Sequence, residues 1–219
     1  MLALVRESFP DREAWLLGRT RGIGASAAAA AIGQNPYQTN VELWRILTGK
    51  KQPKELTGKE AVDFGVRAEP VVRELFELNH PEIKVEYHQY DILYQDSLPF
   101  LRCTLDGECT TDSPLRFGAT HGILECKTAT PRTKADWEKW NGQIPQNYYI
   151  QILHQLAATG WDYVWLVVLL RGQTEWIYRE FYFDRADRED DIADLVRQET
   201  DFWGHVERNE EPTQILPLI

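Results

Sequence analysis

Residues 163–170 read YVWLVVLL, a run that carries no charge at any position. Successive side chains of a strand point to opposite faces, so a stretch apolar at every position belongs inside a sheet covered on both sides. The cover comes from the segment before it. Residues 145–159 read as a helix, opening on Pro145, which suits a first turn, and ending before Gly160. Ahead of that helix lies another β-prone stretch, GILECKT at 122–128. Strand, helix and doubly apolar strand in that order predict a crossover between two parallel neighbours.

The neighbouring segments extend the sheet. IKVEYHQYDILY at 83–94 and FLRCTLDGECT at 100–110 are rich in β-branched and aromatic residues and are bounded by turn signals, so each is expected as one strand. After residue 170 come a turn at Arg171 to Gln173, a strand EWIYREFYF and an acidic helix to about Arg208. The first 80 residues read as a helical part. Asp11 caps a short helix containing Trp15 and Leu16; GASAAAAAIG is a small-residue helix stopped by Gly33; and VELWRILTG is a helix ending at Gly49. A longer helix spans about Glu60 to Asn79, with Val62, Val66, Val72, Leu75, Phe76 and Leu78 expected inward and Pro70 as a possible kink. With no repeat or linker in sight, the expected fold is a single mixed α/β domain over 1–219. Its parts are a helical segment at 1–80, a central mixed sheet with its crossover helix at 83–183, and an acidic helix at 184–210.

Composition narrows the function classes. A formal charge of −10 opposes a general nucleic-acid binder, because phosphate neutralisation needs Lys and Arg. The excess is localised, however: residues 184–211 hold 11 acidic residues against four arginines, a net of −7. This reads as a solvated helix face and leaves room for a local basic cleft. Cys103, Cys109 and Cys126 are odd in number and lack paired spacing, which argues against a disulfide framework or a zinc ribbon. No leader-like progression opens the sequence and the longest apolar run is too short for a bilayer, so a cytoplasmic location is expected.

The chemistry gathers on GILECKT. Glu125 and Lys127 are two apart and share a strand face, opposite Leu124 and Cys126. Alone, such a pair is ordinarily an ion pair on a solvated sheet, and Asp106 before Gly107 is ordinarily a turn aspartate. If the strands bearing Asp106 and Glu125 are neighbours, their carboxylates can meet and share one hard cation such as Mg²⁺ or Mn²⁺. A lysine on the same face would then hold and help ionise a water for attack on a phosphodiester.

An Asp followed by Glu-x-Lys on a neighbouring strand resembles the PD-(D/E)xK nucleases, whose core is restriction-endonuclease-like. Five ordered blocks narrow the likeness: IGASAAAAAIGQNPYQTNVELWRILTGK, FGVRAEPVVRELFE, PFLRCTLDGE, GILECKTA and IPQNYYIQILHQLAATGWDYVWLVVLL. Across about residues 15–171 the chain resembles the phage lambda exonuclease and YqaJ-type viral recombinase nucleases. Leu105 stands where the motif has proline; that proline supports the turn and is no ligand.

The resemblance implies roles. Asp106 and Glu125 would bind the metal together with the backbone carbonyl of Cys126; Lys127 would position the water; Glu69 would serve a second metal or its water shell. Gln151 matches the glutamine of the active-site helix, with Gln155 its rival one turn on. Arg19 and Ser26 match residues that bind a DNA 5′-phosphate, with Arg21 competing for the arginine's place. Trp137 and Trp140 either stack on bases or close a loop over the core, and His154 is expected to be structural.

The implied activity is Mg²⁺-dependent (or Mn²⁺-dependent) 5′-to-3′ digestion of linear double-stranded DNA ends, leaving 3′ overhangs for recombination. The implied partners are two further copies in a homotrimeric ring and a single-strand annealing protein of the Beta/RecT type, in a bacterial cell carrying a phage or prophage. The alternatives are a RecB-like or restriction-like nuclease of other polarity, and a catalytically idle protein that binds DNA ends.

Overall fold

The computed structural model describes residues 3–53 and 60–216. In chain order its strands are β1 (Leu4–Ser8), β2 (Ile23–Gly24), β3 (Lys84–Glu86), β4 (Asp91–Gln95), β5 (Leu101–Arg102), β6 (Gly107–Thr110), β7 (His121–Ala129), β8 (Tyr163–Arg171) and β9 (Trp176–Asp184). Its helices are α1 (Arg12–Arg19), α2 (Ala28–Ala31), α3 (Asn40–Leu47), α4 (Glu60–Asn79), α5 (Lys134–Glu138), α6 (Gln146–Thr159) and α7 (Glu189–Glu207). The main sheet has five strands in the order β3-β6-β7-β8-β9, and β7 and β8 are its parallel pair. Two small pairs, β1 antiparallel to β4 and β2 parallel to β5, sit beside it.

The expected crossover is present: α6 links β7 to β8, and β8 runs between β7 and β9 with both faces covered. On one face, Leu124, Cys126, Tyr163 and Val167 pack against Val72 and Phe76 of α4. On the other, Ile123 and Val164 pack against α6, whose Ile152 and Leu156 are fully buried, and Ile192 and Leu195 of α7 close that layer. Strand parity therefore assigns Glu125 and Lys127 to the α6 face. Gly122 is required beneath the Tyr163 ring, since a Cβ there would fall 2.3 Å from ring carbons.

Several expectations are corrected. The N-terminal part is not wholly helical, because β1 adds to β4. Each of the two long middle strands is broken in two. At Tyr90 the backbone turns with φ of 65°, separating β3 from β4; after β5 the chain leaves β2 and crosses an isolated Leu93–Cys103 bridge before Gly107 enters the main sheet. Strand propensity marks the β-prone residues but says nothing about a change of pairing partner. The small-residue helix is a 3₁₀ turn at Ala25–Ala27 followed by four buried alanines, and Gly33 stops it with φ of 72°.

Helix α4 continues through Pro70 and buries only Ala68, Val72 and Phe76. At 100° per residue, Val66 and Leu78 lie roughly 120° from Val72 and Val62 roughly 80° from it, which accounts for their exposures of 62%, 78% and 37%. Helix α7 turns most of its acidic residues to solvent but buries Ile192, Leu195, Glu199 and Phe202. Glu199 Oε1 meets His154 Nδ1 at 2.8 Å, and His154 Nε2 lies 3.1 Å from the Arg102 carbonyl, so His154 joins three elements. Trp140 is buried against Leu166, Val168 and Leu170 with Trp137 beside it, which is the loop-closing arrangement.

Candidate active site

Antiparallel pairing of β6 with β7 sets Gly107 opposite Leu124, so Asp106, just before β6, arrives beside Glu125. The Cys126 N–H donates to Asp106 Oδ2 at 2.8 Å. The Cys126 side chain goes the other way, into the core under α4. Glu125 is 3% exposed, and three donors meet it: the Lys127 ammonium and the Gln151 amide (2.6 Å) on Oε1, and the Gln155 amide on Oε2. The Lys127 ammonium also lies 5.3 Å from the centre of the Tyr148 ring. On the α4 side, Arg73 donates to the Asp106 carbonyl at 3.0 Å and stacks over Tyr87.

These groups form an electrostatic unit. Burial pushes the Asp106 carboxyl well above its ordinary value, and repulsion from Glu125 adds to this against the pull of Lys127. Glu69 is also raised, first by burial, with Arg73 opposing and Glu125 reinforcing. Burial alone would lower Lys127; Glu125 and Asp106 reverse the sign and hold it as ammonium. Asp106, Glu125 and Glu69 thus set three carboxyl groups beside two cations, Lys127 and Arg73, and the carboxyl groups offer hard oxygens. That donor chemistry fits a divalent cation such as Mg²⁺ or Mn²⁺. Among the described residues no three His, Cys, Asp or Glu side chains converge as a ready-made cage, so other ligands would have to be backbone carbonyls, water or substrate.

One consequence is testable without substrate. A carboxyl whose folded pKa exceeds its unfolded one makes the folded state bind the proton more tightly, so stability falls as pH rises past the ordinary value of 3.8. With metal chelated at neutral pH, Asp106→Asn is therefore expected to melt higher than wild type. The gap should shrink as pH falls towards the ordinary Asp range. A variant that melts at or below wild type in chelator, followed by circular dichroism, would show that Asp106 bears no such strain.

A cavity of about 130 Å³ is lined both by Asp106, Glu125, Lys127 and Gln151 and by Arg19, Gly24, Ala25 and Ser26 of the N-terminal segment. Arg19 comes from the last turn of α1, and its guanidinium lies 4.7 Å from the Trp15 ring centre. Burial lowers its pKa, and the nearby Arg12 lowers it further. No ion pair to Arg19 occurs among the described residues. Arg102, also in the wall, is neutralised by Glu7 at 3.0 Å. Arg21 is exposed, lies outside the cavity lining and acts on Glu7. Ser26 sits in the 3₁₀ turn; the helix that follows has only four residues, so its end carries little dipole and the positive character here belongs to Arg19.

The model of the YqaJ-like viral recombinase domain matches residues 14–162. The chain belongs to that family. It is 30% identical over 204 residues to the uncharacterized protein YqaJ of Bacillus subtilis (strain 168), covering 92% of this chain and 58% of the relative. The chain thus spans little more than half the length of that relative. In fold it is similar to an alkaline exonuclease of Laribacter hongkongensis, with a TM-score of 0.68 at 19% identity over 90% of this chain and 94% of that one. A phage-related exonuclease from Haemophilus somnus 129PT gives a TM-score of 0.56 at 12% identity over 86% of this chain and 96% of that one. The architecture is the restriction-endonuclease-like one, a central mixed sheet flanked by helices. No helix among the described residues is long and apolar enough to cross a membrane.

Sequence reasoning passed over three residues of the site. Arg73 lies four after Glu69, on the same helical face. Tyr148 lies three before Gln151, and Arg102 is a charge within an otherwise inward strand segment. Helical spacing could have flagged the first two; nothing in the sequence announces that Glu7 neutralises Arg102.

Proposed function

We propose that this chain is a metal-dependent 5′-to-3′ exodeoxyribonuclease that acts on the ends of linear double-stranded DNA and leaves 3′ single-stranded overhangs for recombination. What carries the reading is a cavity whose lining brings carboxylates and a lysine together with a half-buried guanidinium that has no ion pair among the described residues. A phosphodiester chain offers a match to both, a terminal phosphate for Arg19 and Ser26 and a scissile phosphate for the carboxylates and Lys127. A solved enzyme of the same fold holds dAMP, a single nucleotide with one phosphate.

Asp106 and Glu125, with Glu69 and the Cys126 carbonyl as the further ligands the resemblance implies, would hold Mg²⁺ or Mn²⁺, which supplies Lewis acidity and lowers the pKa of bound water. The chain's own groups do the positioning. The Cys126 N–H fixes Asp106, Gln151 fixes Glu125 from the cavity side, and Lys127 presents an ammonium that orients the attacking water and offsets developing negative charge. The water oxygen bonds to phosphorus and the P–O3′ bond breaks, releasing a 5′-mononucleotide. The shortened strand then carries a fresh 5′-phosphate for Arg19.

The test is duplex DNA labelled at either end. The reading expects mononucleotide release from 5′ ends with Mg²⁺, none in EDTA, and surviving 3′-labelled strands. Digestion from 3′ ends would favour a RecB-like or restriction-like polarity, and tight end-binding without hydrolysis would favour an idle protein. A chain of net charge −10 holds DNA poorly through one small cleft. A homotrimeric ring that encloses the duplex, with a single-strand annealing protein of the Beta/RecT type beside it, accounts for retention. Light scattering should give three times 25.4 kDa.

A further inference from the structure

Two glutamines one helical turn apart hold the same carboxylate, and their surroundings differ. Gln151 donates to Glu125 Oε1 and lines the cavity. Gln155 donates to Oε2, is fully buried and lies outside the lining. Its own carbonyl oxygen is buried and has no hydrogen-bond partner among the described residues. A buried unmet acceptor costs stability, and an apolar side chain of similar volume would suit the core better. What an apolar side chain could not do is donate to Glu125.

The lone pairs of Glu125 give that donation a direction. Oε1 accepts from both Lys127 and Gln151, which uses its two lone pairs, whereas among the described residues Oε2 accepts only from Gln155 and keeps one. We infer that Oε2 is the oxygen Glu125 offers to a metal ion, and that Gln155 is the positioning residue that aims it from behind. Gln151, on the cavity side, keeps the role nearest the reacting atoms. The inference rests on the reading of Glu125 as a metal-binding carboxylate.

The test compares the full chain with Gln155→Met, Gln155→Asn and Gln151→Met. Mn²⁺ affinity is measured calorimetrically without DNA, and kcat and KM are measured on linear duplex at several Mn²⁺ concentrations. Both Gln155 variants should bind Mn²⁺ about 10- to 100-fold more weakly. Their KM for DNA should be unchanged, and saturating metal should recover kcat. Gln151→Met should lose kcat even at saturating Mn²⁺. The asparagine variant keeps a buried amide but withdraws it by one methylene, so it makes the same measurement should the methionine variant fail to fold. Unchanged Mn²⁺ affinity in the folded Gln155 variants, with or without a lower melting temperature, would overturn the inference and leave Gln155 a packing residue. A wild-type chain that neither binds Mn²⁺ nor cuts DNA would remove the nuclease reading and this inference with it.

Discussion

Lys127→Ala and Asp106→Ala are each expected to lower DNA hydrolysis at least a thousandfold, about 4 kcal/mol of barrier, while leaving a folded protein. Lys127 is the lysine of the cavity, and its ammonium faces Glu125 and Asp106 from a strand whose opposite face builds the core. Removing it takes away the group that orients water and leaves the carboxylates without their nearest cation. Asp106 sits at the point where the chain enters the main sheet, and its side chain bonds a backbone N–H without packing in either core layer. Circular dichroism should report wild-type secondary structure for both variants in Mg²⁺. Hydrolysis by either above a tenth of the wild-type rate would remove that residue from the chemistry.

Arg19→Ala is expected to slow digestion of 5′-phosphorylated ends about 10- to 100-fold more than that of 5′-hydroxyl ends, the worth of one charge-assisted contact to phosphate. The basis is a half-buried guanidinium with no ion pair among the described residues, in the wall of the cavity that the carboxylates also line. Retaining an unpaired charge in such a place costs folding free energy, so the alanine variant should also melt no lower than wild type. Equal slowing on both ends would indicate a general backbone contact. A selective loss in Arg21→Ala alone would transfer the role to the exposed arginine outside the lining.

The site was partly legible because its central features are local. Residues two apart on a strand share a face, which put Glu125 and Lys127 together, and four apart on a helix share a face, which made Gln151 and Gln155 rivals. They turn out to work on one carboxylate, a result helical spacing cannot supply because it names no partner. Pattern reading failed at the two long middle strands for the same reason: β-prone residues stay β-prone when the chain changes sheets at Tyr90 and again before Gly107. On α4, counting apolar residues placed Val62, Val66 and Leu78 inward, yet a helix lying on a sheet buries only the stripe along its contact line.

The sequence alone determined the parallel β7–α6–β8 unit, because an apolar strand between a helix and a turn has nowhere to go but the inside of a covered sheet. It also determined that Glu125 and Lys127 share a face, because strand parity is covalent geometry. Only the tertiary structure decided that β1 joins β4, that Glu7 neutralises Arg102, and that Arg19 shares a cavity with Asp106 and Glu125, more than 80 residues away. Those choices depend on which surfaces meet when α1, α6 and the sheet pack together. Periodicity says which side of an element is buried; it does not say what lies against it.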